Sequence, residues 1–363
     1  MRVLVAMSGG VDSSVAAALL VEAGHDVTGV TMKLWGGASD TGCCSVADVD
    51  DARRVAQQLD VQHLVFNFGD DFMAHVVDPY VEAHQRGDTP NPCIECNRHL
   101  KFDRLLRRAD ALGFDAVATG HHARIVEHPD GSRRIARGAD PDKDQSYVLY
   151  MLGADAQARV LLPVGTMLKA DVRAEAARLG LRTADKPDSQ DVCFITASGG
   201  GRRTFLGDRI ALHPGRLVDR AGAEVGRVDA VELVTVGQRK GLGLAGGGEP
   251  RYAVDVDVPG RTVTVGQADE LLGASVVIAD LVVAGPVTGP SGQLSDQIPG
   301  QLPGGLVAQC SAHGEPRPVS VAAGPAAGSL ELTWTDGPQR RVARGQSVVL
   351  YAGEEVVAGG LVP

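Results

Sequence analysis

At 363 residues the chain is long enough for two or three domains with sizeable cores. With 44% apolar and 22% charged residues it reads as a soluble globular protein, and no apolar run nears the ~20 residues of a membrane span. A net charge of −10 argues against general adhesion to nucleic acid but leaves room for a local basic face, and Met1-Arg2 runs straight into an apolar stretch, so no signal peptide is expected.

Val3 to Ala6 predicts a buried strand, and Val15 to Val21 predicts an Ala-rich helix. Between them lies Met7-Ser8-Gly9-Gly10-Val11-Asp12-Ser13-Ser14. Strand, glycine-rich turn and helix together present free backbone N–H groups and a positive helix end to an anion. Gly9 and Gly10 let the backbone approach phosphate oxygens, and Ser8, Ser13 and Ser14 add hydroxyl donors. The turn has no Gly-Lys-Ser/Thr ending, so it suits a pyrophosphate that leaves as a unit. Asp12 is a candidate ligand for Mg²⁺ beside it. This stretch looks like the pyrophosphate loop of the ATP pyrophosphatases, which activate an oxygen by adenylation.

Strands are then predicted at Val27–Met32, His63–Phe68 and Asp115–Gly120, with helices at Val46–Leu59, Phe72–Ala83 and Asn97–Leu112. This alternation over 1–195 implies a parallel sheet with helices on both faces and ligands at the carboxyl ends of the strands. Met7–Ser14, Met32 and Gly120 all fall at such ends. Near Ser198-Gly199-Gly200-Gly201 the pattern changes at a predicted hinge, and short apolar runs such as Arg251–Val256 and Thr262–Gly266 predict a small β domain. From about Ala274 a third block begins, with a Gly/Pro-rich span from Gly285 to Gly305 and alternating runs at Ser329–Trp334 and Gln346–Tyr351 that predict a β-barrel. The expected domains are 1–197, 198–272 and 273–363.

Six cysteines without an export signal suggest metal, redox or catalytic use. In Thr89-Pro90-Asn91-Pro92-Cys93-Ile94-Glu95-Cys96-Asn97 the prolines argue for a stiff loop carrying both thiols, with Cys96 at the start of a helix, where a thiolate is favoured. Cys193 follows 97 positions later, in Asp191-Val192-Cys193-Phe194-Ile195. Three readings stay open: Cys96 and Cys193 form a redox pair; Cys93, Cys96 and Cys193 hold a metal or iron–sulfur cluster; or all are inert buried thiols. Cys43-Cys44 reads as structural, and Gly241–Gly246 matches GxGxxG without a helix after it. His121-His122 reads as a satisfied or substrate-facing pair, since neighbouring side chains at a strand end point apart. Basic clusters at Arg98, Lys101, Arg104, Arg107 and Arg108, at Arg133, Arg134 and Arg137, at Arg202-Arg203 and at Arg239-Lys240 together fit phosphate contacts to an RNA.

The order of SGGVDSS, Gly42-Cys43-Cys44-Ser45, Thr89-Pro90-Asn91-Pro92 with Cys96-Asn97, Lys101-Phe102, Ala118-Thr119-Gly120-His121, Lys143-Asp144-Gln145-Ser146-Tyr147, Cys193-Phe194-Ile195, Gly237–Gly243 and Gly345-Gln346-Ser347-Val348 resembles the bacterial tRNA-specific 2-thiouridylases over nearly the whole chain. The resemblance implies ATP-dependent 2-thiolation of the wobble uridine of tRNAs for Lys, Glu and Gln. It implies ATP binding by Ala6, Met7, Ser8, Gly9, Gly10, Val11, Asp12, Ser13, Met32 and Gly120. It places Asn91, Pro92 and Cys93 against the target base, where many relatives carry Asp in place of Cys93. Cys96 matches the nucleophile and Cys193 the persulfide carrier, joined in a transient disulfide. His121, Lys143, Asp144, Gln145 and Gln346 match tRNA contacts. Cys310-Ser311-Ala312-His313 stands where many relatives have an Arg-Tyr pair on the tRNA. The expected cofactors are ATP and Mg²⁺, and the expected partners are tRNA and a persulfide donor such as a cysteine desulfurase. A cytoplasmic monomer with no membrane contact is expected. The alternatives are an iron–sulfur-dependent tRNA thiolase or an ATP pyrophosphatase with a different acceptor.

Overall fold

The computed structural model describes residues 1–35, 45–188, 192–195, 200–244, 249–284 and 305–363. Cys43-Cys44, Ser189–Asp191, Ser198-Gly199, Ala245-Gly246 and most of the Gly/Pro-rich span therefore lie outside the described residues.

The first sheet is parallel throughout. Strands β1 (Arg2–Ala6), β2 (Asp26–Lys33), β3 (Gln62–Asn67) and β4 (Ala116–Ala118) run in the order β3-β2-β1-β4, and the short strand Val160–Leu161 adds to β4 at the edge. The period of two along each strand feeds two cores. Val3, Val5 and Ala118 face α1 (Val11–Glu22), α2 (Val46–Gln58) and the helix Lys169–Arg178. Leu4, Val30 and Val117 face Leu105 and Ala109 on the opposite side. Each buried Val or Leu contributes roughly 1.5–3 kcal/mol, so helices cover both faces, as the alternating pattern predicts.

The helix expected from Asn97 instead begins at Pro92 and continues through a widened π-helical stretch to Leu112. The two prolines do not hold this segment as a loop: Pro92 takes the first helical position, where its missing N–H costs nothing, and Asn91 caps it by accepting from the Cys93 amide at 3.0 Å. The region of the expected glycine hinge also differs, because Gly200 precedes a short helix, Gly201–Gly207, before any β structure.

Next comes a four-stranded sheet in the order Tyr252–Asp257, Thr262–Gly266, Gly215–Val218, Glu224–Val228. Strands Ser275–Val283, Leu330–Trp334, Arg317–Ala323, Leu306–Gln309, Ser347–Ala352 and Glu355–Leu361 then close into a six-stranded barrel through the pairing of the first with the last. A hairpin not foreseen from the sequence, β5 (Ala123–Glu127) with β6 (Arg133–Arg137), adds itself to the barrel where Ala136 pairs with Glu355. Among the described residues no helix is long and apolar enough to cross a membrane.

Candidate nucleotide and sulfur-transfer site

The turn after β1 is built to leave amides open. Gly10 caps α1 in an extended conformation with no side-chain cap, so the first-turn N–H groups have no acceptor from a capping side chain. Ser13 and Ser14 turn their hydroxyls back to the Gly10 carbonyl, at 3.2 and 2.8 Å, and Ser8 donates its amide to Ser13 Oγ at 3.2 Å. Two glycines are needed by close approach. Gly9 has φ +73°, and a Cβ there would lie 2.3 Å from the Asp48 carbonyl oxygen. A Cβ on Gly120, just past the end of β4, would lie 2.5 Å from the Ser13 nitrogen. Met7 is buried, and Met32, near the end of β2, packs against two apolar clusters.

Asp12 is enclosed by bases. Lys169 Nζ lies 2.7 Å from both its carboxylate oxygens, and His122 Nε2 lies 3.0 Å from one of them. Burial opposes its ionisation, but the bonds from His122 and Lys169 outweigh that and hold its carboxyl below the usual range. Both Asp12 oxygens are met by Lys169 and one of them by His122, and among the described residues no group of three His, Cys, Asp or Glu is gathered that could hold a metal. Cys93, Cys96 and Cys193 do not gather as a metal-ligand set among the described residues.

A second carboxylate completes the cluster. Asp188 accepts from Lys143 at 2.7 Å and Arg173 at 2.8 Å, and lies 3.0 Å from Lys169. Against burial, the Lys143 and Lys169 bonds bring its carboxyl down to about 2. Lys169, Arg173 and Asp188 carry no local signal of this role; Lys169 stands 157 positions from Asp12 and reaches it only through the packing of its helix on α1. The Lys169 amide is itself held by Asp140 at 2.8 Å.

The two histidines do point apart. His122 faces Asp12, while His121 bonds Thr119 Oγ1 at 2.7 Å beside the Phe102 ring. Burial, then the neighbouring Lys101 and His122, push the His121 imidazole well below its ordinary value, so it is neutral at physiological pH. Gln145 accepts from the His122 amide and donates its own amide to the His122 carbonyl, both at 2.9 Å. Asp144 is buried and takes Arg137, the Gly138 amide and both the amide and hydroxyl of Ser146. Gln346 turns its amide inward to the Thr89 carbonyl. Of the expected tRNA contacts, Lys143 stays part-exposed while bonded to Asp188.

Cys96 and Cys193 come together in one apolar cluster with Leu34, Phe72, Tyr80 and Phe194. Phe194 meets Phe72 and Tyr80 edge-on, at 5.5 and 5.8 Å. The cluster also holds Met32 and Phe66, each next to the last residue of β2 and β3, and the glycine turn likewise follows the carboxyl end of β1. Cys96 is only 7% exposed and is the fifth residue of its helix, not the first; the helix-start argument for its thiolate falls, and Cys93, at the second position, is the thiol nearer the helix end. The Cys310 thiol is pushed up to about 12 by burial.

Most of the basic clusters are paired within the molecule. Arg104 pairs with Asp71, Arg107 with Asp103, Arg134 with Glu355, Arg137 with Asp144 and Arg203 with Asp229. Arg202 donates to the Leu233 carbonyl at 2.7 Å. Arg239 and Lys240 are exposed and make no ion pair among the described residues.

Residues 1–197 match the family described as the tRNA methyl transferase HUP domain, 203–267 its PRC-barrel domain and 294–362 the aminomethyltransferase beta-barrel domain. The chain is 44% identical over 363 residues to a tRNA-specific 2-thiouridylase MnmA of Chloroflexus aurantiacus, covering 99% of this chain and 97% of that one. It is 45% identical over 378 residues to the protein of the same name from Mycolicibacterium smegmatis, covering 100% and 99%. Among solved structures, a 4-thiouridine synthetase–RNA complex with bound ATP aligns at 18% identity and TM-score 0.36, over 52% of this chain and 44% of that one. That score is too low to bear on function.

Proposed function

Because the chain belongs to the family of tRNA-specific 2-thiouridylases, we propose that it uses ATP to replace O2 of the wobble uridine, U34, by sulfur in tRNAs for lysine, glutamate and glutamine. The observation that supports this reading is that a nest of open helix-start amides follows β1, while two cysteines 97 positions apart share one apolar cluster with Met32 from the neighbouring strand β2.

A uridine C2 carbonyl is a poor electrophile with a poor leaving group. Its oxygen attacks the α-phosphorus of ATP; the new O–P bond forms as the bond to pyrophosphate breaks, and the Gly9–Ser13 amides take up the departing charge. AMP is then the leaving group at C2. Cys193 carries a persulfide received from a donor such as a cysteine desulfurase. Either the Cys96 thiolate attacks Cys193 Sγ and releases hydrosulfide to C2, or the terminal sulfur attacks C2 and Cys96 then frees the thiolated base. Both routes end in 2-thiouridine, AMP and a Cys96–Cys193 disulfide that a two-electron thiol reductant reopens. Asn91, Pro92 and Cys93 bound the place of the base, which must leave the anticodon stack to reach it. Asp12, which Lys169 and His122 meet in the fold, would be the residue to hold Mg²⁺ beside the turn, where the ion would supply positive charge to the departing pyrophosphate.

The test is mass spectrometry of nucleosides from tRNA incubated with purified protein, ATP and a persulfide donor. The expected product is 2-thiouridine at U34 with AMP and pyrophosphate. Cys96→Ser and Cys193→Ser should each lose thiolation while still binding ATP; thiolation retained in either variant overturns the two-cysteine scheme.

A further inference from the structure

We infer that Gln145 is a positioning residue for the nucleotide site: its side-chain oxygen holds the backbone of His122 so that the imidazole keeps the Asp12 carboxylate off the open amides of α1. The inference rests on the use of ATP proposed above, and it adds a task to a residue expected only to touch tRNA.

A carboxylate in the first turn of a helix is itself an acceptor for the amides there, and in that role it competes with an incoming phosphate. Asp12 stands at such a position, second in α1. In the fold its carboxylate is turned instead to Lys169 and, at 3.0 Å, to His122 Nε2. His122 is buried, and its Nδ1 has no hydrogen-bond partner among the described residues. The aim of the ring at Asp12 is therefore set by where the His122 backbone is held.

Gln145 clamps that backbone from both sides. Its Oε1 accepts from the His122 amide and its own amide donates to the His122 carbonyl, both at 2.9 Å. Gly138 closes a third side: a Cβ there would lie 2.5 Å from the His122 carbonyl oxygen, and the Gly138 amide is held by Asp144 at 3.0 Å. Gln145 in turn sits between fixed neighbours. Asp144 accepts from the amide and hydroxyl of Ser146, at 3.0 and 2.9 Å, and Ser146 Oγ lies 3.0 Å from Tyr351 Oη. Tyr147 Oη donates to the Ser347 carbonyl at 2.8 Å. The barrel thus carries the clamp through Tyr351 and Ser347. The side chain enters the clamp through its oxygen, so an acceptor is what position 145 must supply.

ATP binding without tRNA is measured by calorimetry on the full-length wild type, Gln145→Met and Gln145→Glu. Gln145 is exposed, so these exchanges leave the core untouched. Gln145→Met keeps the length of the side chain and removes the acceptor; it should weaken ATP about fivefold. Gln145→Glu restores an acceptor and adds negative charge; it should bind ATP within about twofold of wild type. A residue that only touches RNA gives another pattern: ATP affinity equal in all three proteins, and tRNA affinity lowest in Gln145→Glu, whose charge repels phosphate. ATP affinity unchanged in Gln145→Met, or as weak in Gln145→Glu as in Gln145→Met, overturns the positioning role. These readouts need neither tRNA nor thiolation, so absence of 2-thiouridine alongside the expected binding pattern would overturn the proposed reaction and leave Gln145 in its role.

Discussion

The side-chain amide of Gln346 donates to the carbonyl of Thr89, 257 positions earlier in the chain. The contact is one of three between the barrel and the approach to the cysteine helix: the Thr89 amide donates to the Arg344 carbonyl at 2.9 Å, and Arg344 pairs with Asp88 at 3.2 Å. This short stretch runs directly into Asn91, which caps the helix of Cys93 and Cys96. Gln346→Ala should therefore slow single-turnover thiolation about tenfold through misplacement of the helix start, with ATP and tRNA affinities unchanged. Loss confined to tRNA affinity would instead mean that the amide leaves Thr89 to touch RNA.

Asp144 makes a comparable case. Its carboxylate faces Arg137 at 3.0 Å, and that guanidinium lies 3.8 Å over the Tyr351 ring. Removing one partner leaves a part-buried guanidinium without its counter-charge. Asp144→Ala should cost about 3 kcal/mol, read as a lower urea midpoint at unchanged slope. Stability within about 0.5 kcal/mol of wild type would show the carboxylate to be available to RNA instead.

Cys310 gives a pH signature. Its thiol titrates near 9.0 when unperturbed and at about 12 in the fold because burial disfavours the thiolate. Above the unfolded value, unfolding releases a proton that the folded state keeps. The stability due to this group is thus full below pH 9.0 and declines as pH rises toward about 12. The slope approaches about 1.4 kcal/mol per pH unit. Cys310→Ala should flatten the alkaline limb of a stability–pH profile relative to wild type; identical limbs would contradict the assignment. The raised thiol should make Cys310 slower to alkylate at pH 8 in the folded chain than in the unfolded one.

The first sheet was legible because Val3–Ala6, Val27–Met32 and Asp115–Gly120 are apolar runs bounded by turn residues, and a parallel sheet buries both faces. The glycine turn was legible for the same local reason. What escaped is what depends on distant partners. Lys169 looks like an ordinary helix-start lysine until its helix packs on α1. Arg104, Arg134 and Arg137 show their sign in the sequence but not Asp71, Glu355 and Asp144, which satisfy them. Pro90 and Pro92 argue against helix as residue types, whereas Pro92 sits where a helix tolerates proline. The β5–β6 hairpin intersperses its apolar residues with four arginines, and it joins a larger sheet only where Ala136 pairs with Glu355 at the start of the barrel's last strand.

That late pairing bears on how the protein is made. Arg134 and its partner Glu355 are 221 positions apart, so a chain emerging from the ribosome exposes the hairpin's unpaired strand long before its neighbour exists. Prematurely terminated copies would carry that sticky border permanently, which makes the last stretch of translation a checkpoint for solubility as much as for activity.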